Sequence, residues 1–219
     1  MKKLESTLFN MVVVLTFVTF IATAILAYVN KVTAGPIAEA KAKTLSAAIE
    51  MVVPGFDNNP AASAETFSLD GAEYVIYKAT KEGNFIGAAV QSTVNGFGGP
   101  LTVLVGFDPE GRIIDYSLLS HAETPGLGSK AAEWFKQGSK GSIVGLNPGE
   151  APLVVSKDGG QVEAITASTI TSRAFLQAVN NAYAAYSGQD VAAVSGATSQ
   201  AKATEAVNPE NEEKEGGEQ

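Results

Sequence analysis

The residue types best suited to chemistry crowd between Glu163 and Arg173, where Thr166, Ser168, Thr169, Thr171 and Ser172 follow one another within a short span. Apolar residues at helical spacing come next, through Ala174, Phe175, Ala178, Val179 and Ala182, so the hydroxyls stand where a helix begins. Hydroxyl oxygens there can accept hydrogen bonds from the first free N–H groups of the helix and cap it. Those N–H groups, with the positive end of the helix dipole behind them, also make a seat for a phosphate. The stretch thus supports two readings: a capped helix, or a phosphate site with an acceptor or nucleophilic hydroxyl.

A second candidate is the loop Glu123-Thr124-Pro125-Gly126-Leu127-Gly128. Pro125-Gly126 predicts a type II turn, with Gly taking the positive φ of the third position. Bare backbone at Gly126 and Gly128 would also let a flat ligand approach closely, although an ordinary turn into the following helix explains the pattern as well. His121, beside this loop, reads as a strand-end residue; its one carboxylate neighbour in sequence is Glu123. The chain has no Cys and one His, which excludes disulfides, thiolate metal sites, Cys-ligated iron–sulfur clusters and the usual zinc centres. The formal net charge is −8, with no basic stripe, which argues against nucleic acid as a partner. Half of that charge lies in Ser199–Gln219, where six Glu oppose two Lys.

These candidates need elements to position them. Leu8 to Val29 is a charge-free run of 22 residues, about 33 Å as a helix and long enough to cross a bilayer. Ala22-Thr23-Ala24 loosely matches a signal-peptide cleavage pattern, but the apolar run continues through Val29, longer than a usual signal h-region. An uncleaved anchor is expected, with a short tail inside and the main domain outside. The basic residues Lys2, Lys3, Lys31, Lys41 and Lys43 flank both ends and do not themselves set that orientation. After a break at Gly35-Pro36, Ile37 to Val53 reads as a helix, and Asp57 to Ser68 as a polar connection. Strand-like runs cover 73–79, 85–94, 101–107 and 112–119, with turns at Lys81-Glu82-Gly83, Asn95 to Pro100 and Asp108 to Gly111. Short turns between successive strands predict an antiparallel meander. A helix over 131–137 carrying the only Trp, Trp134, then short strands at 153–157 and 162–165, lead to a helix over 170–186 that Gly188 stops. The tail beyond Ser199 is too polar to bury a core. The fold class is α+β: one transmembrane helix in residues 1–30, a domain with an antiparallel sheet flanked by helices in 31–188, and an acidic tail in 189–219.

Three separated signatures stand in order behind the anchor: Asn95-Gly96-Phe97-Gly98-Gly99-Pro100, Glu123 to Gly128, and Thr166 to Arg173. Together they resemble the FMN-binding G subunit of the Rnf ion-translocating electron-transport complex, over essentially Leu8 to Tyr186. The resemblance implies FMN joined through its phosphate to a threonine hydroxyl, in a pattern of acid, two residues, Ser/Thr, Gly, Ala, Thr, with a separate flavin transferase making the bond. The acid falls on Glu163, the Ser/Thr on Thr166 and the acceptor on Thr169. This chain has Glu for the usual Asp, Ala167 for Gly and Ser168 for Ala, swaps that keep the side chains small. Ile170 and Thr171 continue the cofactor-binding stretch. The resemblance also gives Glu123, Thr124, Gly126, Leu127 and Gly128 a role beside the isoalloxazine, with Gly98 and Gly99 as further lining.

Val194-Ser195-Gly196-Ala197-Thr198 matches the core pattern more literally, which makes Thr198 a decoy or second acceptor. Ala192 stands where its acid should be, and no apolar helix follows to supply N–H donors, so Thr169 is the favoured site. The implied function is a membrane-anchored electron-transfer subunit with covalent FMN, in the bacterial inner membrane with its domain on the periplasmic side. It would work with the other subunits of an oxidoreductase on the ferredoxin/NAD couple, and needs no metal and no independent catalytic site. Alternatives are the C subunit of the sodium-pumping NADH:quinone reductase, a tethered non-redox module taking a phosphorylated ligand, and a structural envelope protein.

Overall fold

The computed structural model describes residues 7–69 and 71–188; Lys2, Lys3, the rival Thr198 and the acidic tail lie outside them. The chain divides into two compact units between Leu45 and Ser46.

Most of the first unit is helix α1, Leu8–Val52. Its first 37 residues are almost wholly exposed and, through the apolar run, present hydrophobic side chains on every side, which a helix in water cannot sustain but a spanning helix requires. Its threonines fit that setting. Thr16, Thr19 and Thr23 donate back to the carbonyls of Val12, Leu15 and Thr19 at 2.8, 2.9 and 2.8 Å, which gives each of these three hydroxyl protons an acceptor in hydrocarbon. The expected break at Gly35-Pro36 is absent, since α1 carries Pro36 inside it. Proline removes one N–H from the ladder, and beyond the apolar run water can satisfy the carbonyl it frees. One lost bond does not end the helix.

The second unit is built on a five-stranded antiparallel sheet in the order β1-β2-β3-β4-β5. Its strands are Glu65–Leu69, Ala72–Lys81, Asn84–Asn95, Pro100–Phe107 and Ile113–His121. The meander is the one expected, with β1 added at its edge. Phe67 and Leu69 of β1 pack against the core while Thr66 and Ser68 face outward, an alternation too short to stand out within a polar stretch. Alternation along β4 sends Val103, Val105 and Phe107 to one face and Leu104 and Gly106 to the other. Helix α3, Thr169–Ser187, covers the first face, stacking Phe175 on Phe135 at 4.3 Å and edge-on to Tyr116 at 4.8 Å. The last turn of α1 covers the second: a Cβ at Gly106 would collide with the Val52 carbonyl, and one at Gly87 would come within 3.2 Å of Val53 Cγ1.

Between sheet and α3 the chain is mostly turns. The helix expected at 131–137 shrinks to α2, Ala131–Trp134, preceded by a 3-10 turn at Gly128–Lys130. It is held to β5 by Tyr116, whose hydroxyl donates to the Ala131 carbonyl at 2.7 Å and accepts from the Phe135 N–H at 3.2 Å. The two strands expected at 153–157 and 162–165 reduce to a single parallel bridge between Val155 and Val162. A parallel ladder needs a longer crossover than the six residues between them, and a 3-10 turn, Ser156–Asp158, fills the space instead. Asn180 of α3 fastens this region by giving and taking hydrogen bonds with the Leu153 backbone, both at 2.9 Å.

Candidate functional site

The meander delivers the separated signatures to one place. In an antiparallel sheet the turn between β3 and β4 and the C-terminal end of β5 must emerge at the same end. Here Leu101, at the start of β4, pairs with His121, at the end of β5. The turn 96–99 and the loop 122–128 therefore lie side by side. Pro125-Gly126 forms the expected turn: Gly126 has φ +76°, and the Leu127 N–H bonds the Thr124 carbonyl at 3.2 Å.

Glu123 joins this loop to both of its neighbours. Its side chain is buried, 5% exposed. Oε1 accepts from the N–H groups of Phe97 and Gly98 at 2.8 and 3.3 Å, and Oε2 accepts from the Thr171 hydroxyl at 2.7 Å. The carboxylate thus ties the β3–β4 turn to the first turn of α3. Gly96 and Gly128 are required by it, and Gly98 by the backbone just before it. A Cβ at Gly96 would land on Oε1, one at Gly98 on the Ala122 carbonyl, and one at Gly128 would lie 2.5 Å from Glu123 Oε2 and 2.8 Å from Thr171 Oγ1. The bareness of Gly128 makes room for a buried carboxylate. His121 ends β5, its Nδ1 accepting the Glu123 N–H at 3.3 Å, in keeping with a strand-end role.

The hydroxyl-rich stretch does not cap α3. Ser168 stands at the N-cap position with φ −137° and ψ 44° and makes no side-chain capping bond. Thr171 is spent on Glu123. Ser172 Oγ donates to the Ser168 carbonyl and accepts from the Ile165 N–H, both at 2.9 Å. Among the described residues no acceptor is found for the N–H groups of Thr169, Ile170 and Thr171. Three free donors with a 19-residue helix behind them are what an anion needs. Ala167, just before, adopts φ +61°, the left-handed region that glycine enters without strain.

A cavity of about 290 Å³ opens between these parts. Glu123, Thr124, Leu127 and Gly128 line one side, Ala167, Ser168, Thr169, Ile170 and Thr171 the other, and Phe97 closes an end. Of the expected site residues, Thr166 and Gly126 stand outside it. Three apolar side chains of its lining, Phe97, Leu127 and Ile170, are 67%, 41% and 54% exposed, surface that a flat apolar ligand could cover. An apolar slot for a ring beside unpaired N–H groups for a phosphate fits a flavin mononucleotide. The cavity is at the small end for a ligand pocket, ~300–1,000 Å³.

Two features are legible only in three dimensions. Phe97 lines the pocket where Gly98 and Gly99 were expected to. Lys157 brings its Nζ to 3.3 Å from Thr169 Oγ1, across a turn that the alternation in 153–157 presents as strand. Beside it Arg173 donates to Asp158 through Nε and Nη2, each at 2.6 Å. That fork holds the Asp158 carboxyl below its usual range and the guanidinium above its own. No group of acids and His able to hold a metal ion is present among the described residues.

The FMN-binding domain family matches residues 96–184, the span from the β3–β4 turn to α3. The chain is 35% identical over 162 residues to the G subunit of the ion-translocating oxidoreductase complex of Stutzerimonas stutzeri, covering 68% of each chain. With the protein of that name from Yersinia pestis it shares 34% over 172 residues, 74% of this chain and 81% of the other. With that of Escherichia coli K12 the figures are 30% over 171 residues, 74% and 82%. Among solved structures, Shewanella oneidensis NqrC aligns with a TM-score of 0.37 at 18% identity, over 55% of this chain and 63% of that one.

Proposed function

This chain belongs to the family of the G subunit of the Rnf ion-translocating oxidoreductase complex, with its FMN-binding domain, and we propose that it carries FMN as a phosphoester on Thr169. It is a single-pass membrane flavoprotein that transfers electrons among the other subunits of the complex. The observation that carries the attachment is the position of Thr169: it lines the cavity at the start of a helix without a side-chain cap, beside N–H groups for which no acceptor is found among the described residues. FMN supplies one- and two-electron redox chemistry when bound.

The chain's own residues have three tasks. The N–H groups of Thr169, Ile170 and Thr171 hold the phosphate, with the helix dipole offsetting its charge. Phe97, Leu127 and Ile170 would offer the ring apolar surface and shield part of it from water. Glu123, bonded to Phe97, Gly98 and Thr171, sets the spacing of the two walls. It is a positioning residue, and the ring would meet Thr124, Leu127 and the backbone of that loop. A flavin transferase installs the group, and α1 holds the domain at the periplasmic face of the bacterial inner membrane.

Co-expression with and without a flavin transferase, followed by denaturing electrophoresis, tests the reading. Fluorescence should stay with the denatured chain only when the transferase is present, and Thr169→Ala should abolish it. A band that persists in Thr169→Ala and vanishes in Thr198→Ala would move the attachment to the other motif. Protease added outside the inner membrane should digest the domain; protection would reverse the orientation.

A further inference from the structure

We propose that Lys157 is the counter-ion of the phosphate on Thr169, a positioning residue held in place by the turn Ser156–Asp158. The inference rests on Thr169 as acceptor and goes beyond it by naming the side chain that recognises the charge. Three consecutive residues of the turn each reach the acceptor stretch. The Ser156 hydroxyl donates to Glu163 Oε2 at 3.2 Å, Lys157 Nζ to Thr169 Oγ1 at 3.3 Å, and Asp158 accepts both bonds from Arg173. The outer two contacts fix the turn at Glu163 before the acceptor and at Arg173 after it. The middle contact leaves a cation facing the acceptor oxygen.

That cation lacks a matching charge. Among the described residues Lys157 has no carboxylate within salt-bridge distance. The acids tied to the turn are engaged elsewhere: Asp158 by Arg173 and Glu163 by Ser156. A neutral hydroxyl at 3.3 Å is a weak partner for an ammonium. A phosphodiester built on the same oxygen would bring its negative charge to that ammonium, and a charge-assisted bond is about twice as strong as a neutral one. Lysine suits this use, because it acts on phosphate as a mobile point charge and needs no fixed fork. The acid of the acceptor motif then has a structural purpose in this chain: Glu163 steadies the turn that presents Lys157.

The test uses the full chain in detergent, expressed without a flavin transferase so that Thr169 stays free. It is titrated with FMN and with riboflavin, which has the same ring and no phosphate, and binding is followed by flavin fluorescence. Lys157→Gln should weaken FMN about five- to tenfold at low ionic strength and leave riboflavin unchanged. Lys157→Arg should restore most of the loss, and added salt should erase the difference between wild type and Lys157→Gln. Equal weakening of both flavins, weakening of neither, or no preference of the wild type for FMN would overturn the proposal. The mass of the co-expressed wild type reports the acceptor separately. Flavin on Thr169 without a Lys157 effect removes this proposal alone. A Lys157 effect without covalent flavin removes the attachment and keeps the phosphate seat.

Discussion

Deleting the Glu123 carboxylate should loosen the site and the domain together. Glu123→Ala removes one charge-assisted bond from the buried Thr171 hydroxyl and two from the N–H groups of Phe97 and Gly98. The first contributes about 1.5–3 kcal/mol, since its donor has no water to turn to. Phe97 and Gly98 sit on an exposed turn, where water replaces the lost acceptor, so each of those bonds is worth about 0.5–1 kcal/mol net. The sum is about 2.5–5 kcal/mol, which for a domain of this size lowers Tm by roughly 5–20 °C. Thr171→Val alone should cost about 1–3 kcal/mol. In urea unfolding of the detergent-solubilised chain, the double-mutant cycle should return a coupling of about 1.5–3 kcal/mol between the two positions. Flavin loading should fall in both single variants, because the walls of the cavity lose their tie. Additive effects, with coupling below about 0.5 kcal/mol, would refute the claim that this bond holds loop and helix together.

Three further outcomes follow from local geometry. Ala167→Gly should raise stability by about 0.5–1 kcal/mol: it relieves a left-handed alanine costing ~1–2 kcal/mol against ~0.4–1 kcal/mol of added chain entropy. A lower Tm in that variant would contradict the backbone at 167. The Asp158 carboxyl is held below its usual range chiefly by hydrogen bonding to Arg173. Its contribution is therefore full above the unfolded value near 3.8 and is lost as pH falls through the folded value. The pair is partly exposed, so Asp158→Asn should cost no more than about 1 kcal/mol at pH 7 and flatten stability below pH ~4. At the alkaline end, burial raises the Tyr116 hydroxyl well above 10. The unfolded chain then loses that proton first, and stability should decline as pH climbs past ~10, less steeply in Tyr116→Phe.

Local pattern revealed the elements and left their tertiary contacts hidden. The apolar run, the four longer strands and the last helix were readable because each carries its own period and its own stop, such as Gly188 with φ +71°. Strand β1 was hidden, since Phe67 and Leu69 are its only inward apolar positions in a polar stretch. The three signatures could be read as one site only through resemblance, and the sheet gives the physical reason they meet: two hairpin-end segments share one end of a meander. The hydroxyls around Thr169 looked like a cap because composition shows acceptors and not their partners. In the fold Thr171 and Ser172 turn to Glu123, Ile165 and Ser168. Lys157 had no signal at all, since its approach to Thr169 depends on the bridge between Val155 and Val162.

Peptide-resolved mass spectrometry of the full chain, purified after co-expression with a flavin transferase, tests the attachment most directly. A gain of one FMN less one water is expected on the peptide containing Thr169, with the fragment series placing it on that residue, beside an unshifted peptide around Thr198. An unmodified Thr169 peptide beside a modified Thr198 peptide, or no modified peptide in a preparation whose transferase modifies a known acceptor, would contradict Thr169 as the site of the flavin.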